Sequence, residues 1–138
     1  MAIIREYSNI SELLKSIDDT IAEYRRVLGE LLKKTEELRV KSEQEAKLKA
    51  VLSKLGAPVT PPSPTEIGLR SVKLVINPLP QQELSLIEVA VEALNNKITA
   101  LTSIKKDIEA LSALGDIGIK ITVIYVDDVP KNIILKFA

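Results

Sequence analysis

Cysteine, histidine and tryptophan are all missing from this chain of 138 residues, and each absence removes a class of chemistry. Without cysteine there is no disulfide and no thiol nucleophile. Without histidine there is no Ser-His-Asp triad, and without either there is no Cys/His zinc centre. The 19 basic and 19 acidic side chains cancel, so the usual driving force for non-specific nucleic-acid binding is lacking. No run approaches the roughly 18 apolar residues that span a bilayer. The start of the chain, Met1-Ala2-Ile3-Ile4-Arg5-Glu6, turns polar too soon for a signal peptide. A cytoplasmic protein without membrane contact is expected, and nothing in the sequence calls for a cofactor.

What is present is hydrophobic: 46% of the residues, enough for a globular core and too much for a disordered chain. The length suits one domain, or one domain with a long appendage. One Met, five Asn and three Gln are few thermolabile residues, and with abundant Lys, Ile and Leu they point to a thermophilic source.

From Ser8 to Leu55 the pattern is helical. Ser8 or Asn9 can cap the N-terminus, with Glu12 in a capping arrangement. Ile10, Leu14, Ile17, Ile21, Tyr24, Leu28, Leu31 and Leu38 then fall at alternating spacings of four and three, with Thr35 in the one polar slot. This is a heptad stripe, which Leu13 and Leu32 widen. Glu→Lys pairs at i,i+4 (Glu30/Lys34, Glu37/Lys41, Glu43/Lys47, Glu45/Lys49) support the helix. The stripe weakens over 40–47 and resumes out of phase at Leu48, Val51, Leu52 and Leu55, so a break there is open. Gly56 is placed to stop the helix. If continuous, the helix is roughly 70 Å long.

Four prolines between Pro58 and Pro64 exclude helix and central strand, and residues 56–66 read as a stiff spacer. Alternation from Leu69 to Ile76 predicts a strand with Val72, Leu74 and Ile76 on one face. Pro80 suits the first turn of a second helix reaching about Leu114, with Gly115 as its stop. Ile117 to Tyr125 reads as a strand, and Lys131 to Phe137 as its antiparallel hairpin partner. The fold class expected is α+β. A long coiled-coil-like helix (1–55) and the spacer (56–66) lead into a compact βαββ unit (67–138). That unit would carry a three-stranded mixed sheet and a right-handed crossover. Ile3 and Ile4 could add a further short strand.

Tyr125-Val126-Asp127-Asp128 matches YxDD and resembles the motif of reverse-transcriptase palms. That resemblance implies paired aspartates on a hairpin holding a divalent metal for nucleotidyl transfer. It spans four residues, and no aspartate stands between 67 and 80 to complete a metal site. Aspartate before Val-Pro also suits a plain turn, which is the reading adopted. A metal-dependent enzyme using Asp127 and Asp128 is the remote alternative.

The basic residues Arg25, Arg26, Lys33, Lys34 and Lys41 could meet phosphates. Residues 8–55, however, carry ten basic and nine acidic side chains, and a salt-bridged surface is the plainer reading.

Long helices joined through β structure are similar to prefoldin-type chaperones. Those place their β-hairpins between two helices, whereas the hairpin read here comes last, so the chain is not assigned to them. The two predicted helices differ by about 14 residues, which leaves part of the first without a partner in the chain. Such surfaces mark association. A non-enzymatic oligomerisation or adaptor protein is therefore expected, either a homo-oligomer or bound to a dedicated protein partner. Its interface would be formed by Leu14, Ile17, Ile21, Tyr24, Leu28, Leu31 and Leu38 together with a sheet edge. Nucleic-acid association is the alternative.

Overall fold

The computed structural model describes residues 3–56, 65–114 and 118–137. The chain is α+β, with the order β1 (Ile4–Tyr7), α1 (Ile10–Lys54), β2 (Thr65–Gly68), β3 (Lys73–Ile76), α2 (Pro80–Glu109), β4 (Ile119–Val126) and β5 (Val129–Phe137). A 3-10 turn over Ala110–Leu114 follows α2. Most of the predicted spacer, together with Gly115 and Ile117, lies outside the described residues.

Asn9 is the cap of α1. Its side-chain oxygen accepts the Glu12 amide at 2.8 Å, and the Glu12 carboxylate accepts the Ser8 amide at 2.9 Å. These bonds satisfy amides that no helical carbonyl can reach. The helix passes through 40–47 without a break and ends where Gly56 takes a φ of 75°, the left-handed conformation glycine adopts freely. At the other helix start, the Gln82 side chain accepts the Leu79 amide at 3.1 Å, just ahead of Pro80.

Two compact units make up the chain, one from residues 1–28 and 93–138 and the other from 29–92. In the first, β1, β4 and β5 form an antiparallel sheet in the order β1-β4-β5. Tyr7 pairs with Ile121, and Ile121 with Leu135, so these residues share one face. That face and the helices bury Leu13, Ile17, Ile21, Leu101, Ile108, Ile121 and Val123 in one core. Lys105 closes the helix pair, its ammonium 2.7 Å from Asp18.

The second unit holds residues 29–54 of α1, the β2–β3 hairpin and the first turns of α2. Thr35 is buried there and donates to the Leu31 carbonyl at 2.9 Å. A hydroxyl that bonds within its own turn fills an apolar stripe without stranding a polar group.

Two expectations are corrected. The sheet is wholly antiparallel, not mixed, and its third strand is Ile4–Tyr7 rather than a strand at 69–76. Among the described residues there is accordingly no βαβ crossover. The Leu69–Ile76 segment instead turns at Leu69–Val72, where the Leu69 amide donates to the Val72 carbonyl at 2.8 Å. It then pairs with Thr65–Gly68. A turn of two residues closes a far shorter loop than a crossover through a 30-residue helix, and the nearer pairing costs less chain entropy. A hairpin thus stands between the two helices as well as after them.

Candidate functional site

The Asp127-Asp128 pair sits at the two central positions of the β4–β5 turn, with φ of 52° and 67°. Two consecutive left-handed residues make the type I′ connection that matches strand twist. The Lys97 ammonium lies 3.4 Å from the Asp128 carboxylate and 5.8 Å from the centre of the Tyr24 ring. Burial, with the Asp128 charge beside it, holds the Tyr24 phenol above its ordinary value. Asp128 is thus engaged by a cation of the protein itself. Among the described residues no three carboxylates or other metal-binding side chains converge.

Next to this turn, β1 and β4 bring two phenols together. The Tyr7 and Tyr125 hydroxyls are 2.6 Å apart, and Tyr7 also lies 3.0 Å from the Ser16 hydroxyl. Burial first, then the bond to Tyr7, pushes the Tyr125 phenol far above its ordinary value. A neutral phenol of this kind is a poor base. The cluster ties β1, α1 and β4 together, and it opens on a groove of about 530 Å³ lined by Arg5, Lys15, Asp19 and Glu23 among others. Four carboxylates (Glu6, Glu12, Asp19 and Glu23) and two cations (Arg5 and Lys15) line that groove, so its charge is mixed with an acidic excess.

The predicted interface stripe divides by burial. Ile17 and Ile21 are 2% and 6% exposed in the first unit's own core, with Leu14 and Tyr24 packed against it. Leu38 is buried and Leu31 half-buried in the second unit, and Leu28 is half-buried in the first. The basic residues Arg25, Arg26, Lys33, Lys34 and Lys41 are all exposed. Arg26 pairs with Glu23 at 2.6 Å and Lys34 with Glu83 at 3.8 Å, so two of the five already face an acid.

Among the described residues, most of the exposed large apolar side chains lie in the second unit. Register places Ile67 opposite Leu74 and Thr65 opposite Ile76. Strand alternation then sets Ile67, Leu69, Val72, Leu74 and Ile76 on one face of the hairpin. All five are exposed, Val72 to 65%. The opposite face carries a Glu66–Lys73 ion pair at 3.5 Å. On α1, Leu48 and Val51 are exposed as well, and Leu55, just past its end, is 75% exposed. Leu48 and Leu38 line a groove of about 410 Å³ with Pro78 and Pro80, so this end of α1 adjoins the exit of the hairpin.

The signal for the hairpin was in the sequence. Apolar residues at 67 and 69, and at 72, 74 and 76, are arranged symmetrically about Arg70-Ser71, as two strands folding on a two-residue turn require.

No protein-family model, curated protein or solved structure matches this chain. Among the described residues no helix is long and apolar enough to cross a membrane.

Proposed function

We propose that this is a non-enzymatic oligomerisation or adaptor protein that works in the cytoplasm through apolar protein–protein contacts. One observation carries the reading: a hairpin face and a helix end, both apolar, both bare, in one compact unit. Soluble proteins seldom leave contiguous apolar surface of this kind uncovered unless something binds it. The hairpin adds a second reason, because two strands alone are marginal in water and gain stability when their apolar face is covered.

The sequence points to the heptad stripe from Leu14 to Leu38, together with a sheet edge, as the contact surface. Burial of Ile17 and Ile21 in the first unit favours the later part of α1 and the hairpin as the contact surface instead. The native mass of the assembly from its own cells, with and without nuclease, tests the proposal. A nuclease-resistant assembly of this chain, alone or with one fixed protein, is the expected result. Collapse on nuclease treatment would make nucleic acid the partner and overturn it.

A further inference from the structure

We infer that the partner is a second copy of this chain, and that residues 29–92 are its dimerisation module. This deepens the oligomerisation reading and rests on it. Each copy contributes the same surface, made of the hairpin residues Ile67, Leu69, Val72, Leu74 and Ile76, the helix residues Leu48 and Val51, and Leu55 just past the helix end.

Area argues for it. These eight side chains, exposed between 41% and 75%, present on the order of 800 Å² per chain, which is the share each partner brings to a standard stable interface. Composition argues in the same direction. The patch has no charged member, and an interface core this apolar is typical of copies that associate permanently rather than of partners that meet and part.

Charge removes the usual objection to self-association. Residues 29–92 hold nine basic and nine acidic side chains, so two such units approach without net repulsion. Glu66 and Lys73 pair with each other on the far face of the hairpin, so an interface between two apolar faces leaves that ion pair in water. Such an interface is self-complementary, each patch meeting its own copy. The hairpin's apolar face then gains the cover that the described residues leave off, and folding of the ribbon is reinforced by association.

Sedimentation equilibrium of the purified chain over a wide concentration range, compared with Leu74→Glu and Val51→Glu variants, decides the matter. All the substituted positions are exposed, so the variants are expected to keep their helical circular dichroism. The expected result is a dimer whose dissociation constant rises roughly a hundredfold in either variant. As a check that does not depend on disruption, Val72→Cys gives the otherwise cysteine-free chain one thiol within the proposed surface, at its most exposed hairpin position. Oxidation should then link the chains in pairs, faster than it links a chain with Lys136→Cys.

A purified chain that stays monomeric overturns the inference, as does an oligomer unmoved by both variants and not cross-linked through position 72. The broader reading has a separate fate. If the chain is monomeric but its native assembly contains one fixed protein, the adaptor function stands and only the second copy is wrong. A monomer in both preparations removes both.

Discussion

Gly29 is the plainest case of a single side chain setting a local energy. It lies within α1 and is exposed, and a Cβ built on it meets nothing within 4 Å. Glycine costs a helix interior about 0.5–1 kcal/mol relative to alanine through the backbone freedom it loses. Gly29→Ala should therefore raise the unfolding free energy by about that amount, read as a thermal midpoint a few degrees higher.

Tyr125 makes a prediction with a sign. Its folded phenol titrates well above the ordinary 10.0, chiefly because it is buried and then because it bonds Tyr7. The fold therefore favours the neutral form. The stability it contributes is complete below pH 10 and is lost as pH rises beyond it. Denaturant midpoints should fall above about pH 10 in the native protein. Tyr125→Phe should start lower at neutral pH, for want of one hydrogen bond, and decline less steeply. An equally steep decline in the variant would remove Tyr125 as the cause.

The helix α1 shows one element serving two ends. Its early apolar residues, Leu13, Ile17 and Ile21, are core, whereas Leu48 and Val51 near its end are bare. A heptad pattern does not distinguish these cases, since both are apolar at the same spacing and only the neighbours differ. Substitution separates them. Ile21→Asp buries an unpaired charge and should unfold the first unit, with loss of the cooperative thermal transition. Val51→Asp on the purified chain should leave helical circular dichroism almost unchanged. Equal loss of structure in both would mean that the end of α1 is also needed for folding. The strands teach the same lesson. β4 was legible because Ile119, Ile121, Val123 and Tyr125 alternate. β2 has one apolar residue, Ile67, in four, so its alternation is legible only when Leu69 and the strand beyond the turn are read with it.

For the molecule as a whole, neutrality has a consequence. With 19 charges of each sign, association through apolar patches should depend little on ionic strength. The mass of the assembly should be the same at about 0.05 M and about 0.5 M salt, whereas a phosphate-bound assembly would weaken steeply over that range. Light scattering across a salt series reads the difference. A steep loss of mass would favour the basic residues Arg25, Arg26, Lys33, Lys34 and Lys41 over the apolar patch as the point of contact.

Local rules determined much of this protein from its sequence: two long helices with their caps, the terminal hairpin with its Asp127-Asp128 turn, and an α+β class. Each rests on contacts between residues close in the chain, where periodicity and turn chemistry are sufficient. Only the tertiary structure decided which strand completes the sheet and which part of the stripe is core. The sheet took Ile4–Tyr7, over a hundred residues from its partner Ile121–Ile124, and left the strand at 73–76 to a local hairpin. Pairing over such a distance depends on what the helices bring together, and burial of an apolar residue depends on the neighbour that arrives. Neither is written in the residue itself.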